Sequence, residues 1–363
     1  MPRLLLHIGH PKTGTTALQS VLSANAETLL NGASVLYPTE TEPKEYKHSF
    51  AIPWLFQDDN DAIRRRSRLS GDALKAMSKR YWCSLSSEIE RTRHDTSIIS
   101  AEGFWSMARP ASSSQKTFVR DTLYRIADEI TVIGYLKSPT SYFLSKINQK
   151  LRNFKPVALP RGDYLSGAMQ AWESIGFNHY SWRIFDRKLL ENKDIIEDFC
   201  KCHLPSLNGT TSLKRDTVEQ ANSSISNEAL VILENITAAH PVLREDIYDH
   251  RRHKVIEILR HSDEAVGGER RPSLKESAAH TILSRSRDLP WLQERGLVFP
   301  DIEERWIHKQ CDDDMPDSFT CVSDFCPVNS NRLADLRAHL GEDIESLFRP
   351  ASKLFFWSFR RHN

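Results

Sequence analysis

The chain's first apolar run, together with the loop it enters, constrains the fold more than any other stretch. Leu4, Leu5, Leu6 and Ile8 pass straight into His7–Leu18, HIGHPKTGTTAL, a loop rich in glycine and threonine. Beyond the loop, Leu18, Val21, Leu22 and Leu29 recur at helical spacing, interrupted only by Asn25. Strand, glycine loop and helix in this order bring backbone N–H groups and a helix N-terminus together on one anion, most often a phosphate. The pattern predicts a helix over Thr15–Leu30, closed by Asn31-Gly32 with Gly32 as a left-handed cap.

The loop nearly spells the phosphate-binding loop of nucleotide triphosphatases. Gly9 and Gly14 have the right spacing and Thr16 stands where Ser/Thr belongs, but Thr15 occupies the lysine position and Lys12 lies inside the loop. A lysine ahead of the second glycine lies nearer a 5′-phosphate and whatever leaves from it. Pro11-Lys12-Thr13-Gly14-Thr15-Thr16 resembles the 5′-phosphosulfate loop of sulfotransferases that use 3′-phosphoadenosine-5′-phosphosulfate (PAPS). The resemblance implies that these six residues bind the nucleotide and that Lys12 also acts in catalysis.

A second signature agrees with the first. Glu129–Leu136 reads as a buried strand running into Lys137-Ser138-Pro139, with Ser138 as N-cap and Pro139 as first residue of the next helix. Ser145 follows Lys137 by eight residues. In the same family a basic residue at a strand end and a helical serine at this offset bind the 3′-phosphate, so the resemblance assigns Lys137 and Ser145 to it. The family's basic residue is usually Arg, and lysine lacks its bidentate fork.

Between the two motifs, Ser97–Trp105 reads as a short strand ending at Glu102. Relatives deliver the catalytic base, His or Glu, from the end of the strand before the 3′-phosphate strand. Glu102 is therefore the expected base, facing the crevice at the carboxyl ends of the strands. His48, in Tyr46-Lys-His48-Ser after the Val35–Pro38 strand end, and His10 in the loop are the competing bases. Tyr164–Cys200 and Asn222–Asn235 also resemble segments of bacterial sulfotransferases, extending the likeness over residues 1–240.

Strand candidates Arg3–Gly9, Ser34–Tyr37, Thr96–Ser100, Ile130–Leu136 and Ser181–Phe185 alternate with helices over 15–30, 73–92, 115–128, 139–151 and 164–176. This alternation predicts an α/β fold, a three-layer α/β/α sandwich with a central parallel sheet like that of P-loop nucleotide triphosphatases. A nucleotide-binding domain over 1–240 is expected to carry a helical C-terminal extension over 241–363. Within the extension, Ser262–Lys275 reads as a mobile linker, and Gly267, Gly268, Arg270 and Arg271 lack the spacing of the family's late phosphate loop. Asn153–Asp163 reads as a surface loop, and the last twelve residues as a packed aromatic and basic segment.

Composition narrows the partners. A net charge of +1 in 363 residues argues against nonspecific nucleic-acid binding. No apolar run has membrane-spanning length, and no signal segment precedes the first strand, so the cytoplasm is the expected location. The six cysteines read as reduced thiols, with Cys200 and Cys202 facing the core; His308, Cys311, Cys321 and Cys326 match no zinc pattern. The expected activity is metal-independent in-line transfer of a sulfuryl group from PAPS to a hydroxyl, less readily an amine. A glycan or glycolipid is the favoured acceptor. The alternatives are a small-molecule kinase using Mg²⁺ and ATP, and a nucleotide-binding module without catalysis.

Overall fold

The computed structural model describes residues 2–58, 63–64, 67–152, 159, 162–207, 213–215, 224–240, 250–269, 271–308 and 319–341. Most of the 153–163 loop, the last twelve residues, Arg270 and Cys311 lie outside them. These residues form two compact units. The first comprises 1–142, 160–222 and 283–310; the second comprises 143–159, 223–282 and 311–363. The division does not fall at residue 240. A late segment, 283–310, belongs with the N-terminal sheet, which no local pattern in the chain announces.

The first unit holds five strands, β1 (Arg3–His7), β2 (Val35–Leu36), β3 (Thr96–Ser100), β4 (Glu129–Leu136) and β5 (His179–Ile184). All pair in parallel in the order β2-β3-β1-β4-β5. Its helices include α1 (Thr15–Ala24), α2 (Ala26–Ala33), α3 (Ile52–Phe56), α4 (Gly71–Arg91), α5 (Ser113–Leu123), α6 (Pro139–Arg152), α7 (Tyr164–Glu173) and α8 (Ile195–His203). The unit boundary falls inside α6, between Tyr142 and Phe143.

The period of two along β1 builds the layers. Leu4, Leu6 and Ile8 join one core with Leu55, Leu74, Tyr81, Val119, Leu123 and Trp172, from α3, α4, α5 and α7. Leu5 points the other way, into a core with Leu18, Val21 and Leu22 of α1, Leu29 of α2 and Phe199 of α8. Helices on both faces of a buried parallel sheet make the α/β/α sandwich that the alternation predicted.

Three local expectations need correction. The predicted first helix is two, because Asn25 leaves helical geometry and its amide bonds Val21 O and Lys214 O, at 2.8 and 3.0 Å. Gly32 lies within α2, and Ser34, at φ 56°, is the left-handed cap instead. Cys200 is buried in the core as expected, but Cys202 is exposed.

The second unit is helical, with α9 (Asn227–Ala239), α10 (His250–Val266), α11 (Glu276–Ser284, entering from this unit) and α12 (Ser330–Leu340). Its core joins Leu230 and Leu233 of α9, Val255 and Leu259 of α10, and Leu336 of α12. The predicted mobile linker over 262–275 is largely fixed here. Ser262–Val266 continue α10, and the Asp263 carboxylate, 2% exposed, accepts hydrogen bonds from Arg332 and Ser226. Farther on, Ser273 N–H donates to Asn227 Oδ1 and Lys275 N–H to Phe325 O. Partners 37 to 69 residues away in sequence hold it. Among the described residues, no helix is long and apolar enough to cross a membrane.

Candidate functional site

Register places the site. His7, the last residue of β1, lies level with Ser100 on β3 and Ile133 on β4. The chain leaves β1 into the glycine loop, β3 ends just before Glu102, and β4 runs on to Leu136 just before Lys137. Three strand ends at the middle of the sheet therefore carry the loop, the carboxylate and the second lysine.

The loop is bent by left-handed residues: Gly9 at φ 57°, Lys12 at φ 72° and Gly14 at φ 76°. A Cβ on Gly9 would meet Thr15 Oγ1 at 3.0 Å and Glu102 Cα at 3.1 Å, so only glycine fits between the helix start and the end of β3. Lys12 is not a glycine, and its backbone strain is held in place by its neighbours. Thr13 Oγ1 donates to His10 O at 2.6 Å and pins the turn from inside.

Gly14 is the N-cap of α1 and provides no side-chain cap. The first intrahelical bond runs from Leu18 N–H to Gly14 O, so the N–H groups of Thr15, Thr16 and Ala17 have no acceptor within the helix. Thr16 is exposed, whereas Thr15 is 2% exposed. Thr15 Oγ1 is buried and has no hydrogen-bond partner among the described residues. An orphaned hydroxyl behind N–H groups that have no acceptor within the helix is the donor set for an oxyanion. The residues present thus fit a phosphate-bearing ligand.

Two lysines and a carboxyl group share the space beside the loop. Lys137 Nζ donates to Lys12 O at 3.5 Å and stands 5.7 Å from the Phe185 ring centroid. Burial first, and then the Lys12 ammonium, push the Lys137 pKa down to about 8, against the pull of Asp301. Glu102 opens a 3-10 turn over Glu102–Ser106. Burial raises its pKa, and Lys12 and Lys47 pull it back. Two lysines held close together attract a polyanion. A carboxylate with a raised pKa beside them accepts protons better than an ordinary one.

His48 takes a different role from the one expected. It is fully buried; its Nε2–H reaches Pro38 O at 2.8 Å, and its Nδ1 accepts from Ser100 N–H at 3.0 Å. With both nitrogens committed to backbone and its pKa pushed down to about 4 by burial, the ring ties β3 to the segment after β2. It has no lone pair left for an acceptor proton. His10 is also buried, its ring 4.9 Å from Trp105, 4.7 Å from Tyr142 and 5.4 Å from Tyr164.

Ser138 caps α6 as predicted, accepting from Ser141 N–H at 3.3 Å. Ser145 lies on α6 one turn beyond Ser141, on the part that belongs to the second unit. The first unit therefore brings together Lys12, Thr13, Gly14, Thr15, Thr16, Glu102 and Lys137.

Two contributors carry no sequence signal of their own. Lys47, next to His48, adds charge near Glu102. Asp301 contacts the start of α6 from 160 residues away, a separation that no local pattern bridges. No protein-family model matches the chain, and no curated protein matches it.

Proposed function

We propose that the chain is a PAPS-dependent sulfotransferase. The observation that carries the reading is the meeting of Lys12 with Lys137 and Glu102 around a glycine loop whose Thr15 hydroxyl lacks a partner among the described residues. The site offers positive charge for two phosphates and a poised carboxylate, which suits a nucleotide phosphorylated at both ends of its ribose better than a triphosphate.

In this reading the acceptor oxygen attacks sulfur in line while Glu102 takes the acceptor's proton. The new O–S bond forms as the bond from sulfur to the 5′-phosphate oxygen breaks. The electron pair stays on that phosphate, giving 3′-phosphoadenosine-5′-phosphate. Lys12 and the N–H groups opening α1 offset the charge that builds there, without a metal ion. Pro11, Thr13, Gly14, Thr15 and Thr16 shape the 5′-phosphate cradle. Lys137 takes the 3′-phosphate. The acceptor is a hydroxyl compound, with a glycan or glycolipid as the favoured class and the cytoplasm as the place of action.

Calorimetry with 3′-phosphoadenosine-5′-phosphate and with ATP plus Mg²⁺ tests the nucleotide. The first should bind at least about 100-fold more tightly, and Lys12→Ala should weaken it and stop transfer of radiolabelled sulfate from PAPS. A preference for ATP with Mg²⁺ would make the chain a kinase. Selective binding with no transfer to any hydroxyl acceptor would leave a binding module.

A further inference from the structure

Asp301 occupies an unusual position. It lies on the turn Phe299–Ile302, closed by Ile302 N–H donating to Phe299 O at 3.1 Å, with both end residues buried in the sheet's core. The backbone is therefore anchored while the Asp301 residue itself is exposed. Its Oδ2 accepts hydrogen bonds from Ser138 Oγ at 2.5 Å, Ser141 Oγ at 3.0 Å and Thr140 Oγ1 at 3.5 Å. Lys137, the residue before these hydroxyls, feels its charge.

An ordinary capping carboxylate accepts backbone N–H groups. Among the described residues the donors to Asp301 are three side-chain hydroxyls, and the N–H of Ser141 is already capped by Ser138. Three hydroxyls on one oxygen with an ammonium beside them form the donor set that a phosphate oxygen would use. The carboxylate also supplies negative charge where Lys12 and Lys137 otherwise repel each other.

We propose that Asp301 is a built-in competitor for the anion subsite at Lys137. Its carboxylate holds the place of the ligand's second phosphate and swings into solvent when that phosphate arrives. The contact is a latch that raises the threshold for binding and is released only by a ligand carrying that phosphate. It rests on the proposed function, in which Lys137 receives a phosphate. The hydroxyls of Ser138, Thr140 and Ser141 then pass from the carboxylate to the incoming oxygens.

The test compares the native chain with Asp301→Asn, using inorganic phosphate and then two nucleotides. Calorimetry should show inorganic phosphate binding roughly five- to tenfold more tightly to Asp301→Asn, since a neighbouring like charge has gone. Adding Lys137→Met should abolish the gain. Affinity for 3′-phosphoadenosine-5′-phosphate should rise by a similar factor, while that for adenosine 5′-phosphate stays unchanged. Equal or weaker phosphate binding by Asp301→Asn overturns the latch and leaves Asp301 as a structural contact. Tighter phosphate binding in a chain that takes neither nucleotide keeps the latch and removes the sulfotransferase reading. Should Asp301→Asn fail to fold, Asp301→Ser, which also removes the charge, carries the same comparison.

Discussion

The second unit sets a half-buried guanidinium between two buried carboxylates, while the first sets two lysines whose charges oppose each other. Arg332 reaches Asp263 and Glu228 at 2.7 Å each, and also donates to Ser226 Oγ and to Gly267 O. Opposite charges with their hydrogen bonds made fix α9, α10 and α12 to one another. Around the glycine loop, by contrast, Lys137 approaches Lys12, the Glu102 carboxyl is partly stripped of water, and Thr15 keeps an unanswered hydroxyl. The first arrangement is complete as it stands. The second holds charged groups at shifted pKa values, and groups held in that state mark a binding site more often than a structural one.

Acid should separate the two regions most strongly. His7, His48 and His203 are buried in the first unit, with pKa values pushed down by burial to about 3, 4 and 4 from an ordinary 6.5. Below 6.5 the unfolded chain binds protons that the folded chain refuses, so stability falls as pH drops from 6.5 toward 4 and is fully present above 6.5. Each ring contributes about 1.4 kcal/mol per pH unit at the steepest point. The fluorescence of Trp105 and Trp172, both buried in the first unit, should follow this loss in urea titrations at successive pH values. A flat profile across that range would break this part of the comparison.

Arg332→Met comes next, because it strands Asp263 and Glu228 in a buried place. Urea unfolding should lose about 3–5 kcal/mol. A change below about 1 kcal/mol would mean that the second unit's charges hold little together.

Glu102→Gln should do the reverse, sparing the melt and lowering transfer by about 10²–10⁴-fold, with 3′-phosphoadenosine-5′-phosphate still bound. Wild-type turnover in that variant would leave the first unit's raised carboxyl without a use.

Thr15→Val is the smallest effect and the sharpest discriminator. It removes a buried hydroxyl that has no partner among the described residues, so the chain should gain about 0.5–1 kcal/mol while nucleotide binding weakens. If stability and affinity fall together, Thr15 is an ordinary packing residue.

Much of this was readable along the chain. Strand β3 appears at its predicted bounds, and β1, β4 and β5 within two residues of theirs; the largely buried β1 and β4 leave near-continuous apolar runs. The glycine loop was legible because Gly9 and Gly14 do jobs that only glycine does cheaply. The misreadings share one cause. His48 reads as a base along the chain because the partners that take its ring nitrogens, Pro38 and Ser100, lie 10 and 52 residues away. Ser262–Val266 looked mobile because charge and glycine suggest a linker, and Arg332 is out of view.

The chain by itself determined the alternating layers, the bend before the first helix, and which residue types end the strands at the middle of the sheet. Those features come from local periodicity and backbone sterics, acting over a few residues. Only tertiary structure decided which polar groups meet: Lys137 with the Lys12 carbonyl, Arg332 with Asp263, and Asp301 with the hydroxyls that open α6. Electrostatic partnership depends on distance through space. In a parallel sheet, neighbours in space are separated by whole crossover connections in sequence.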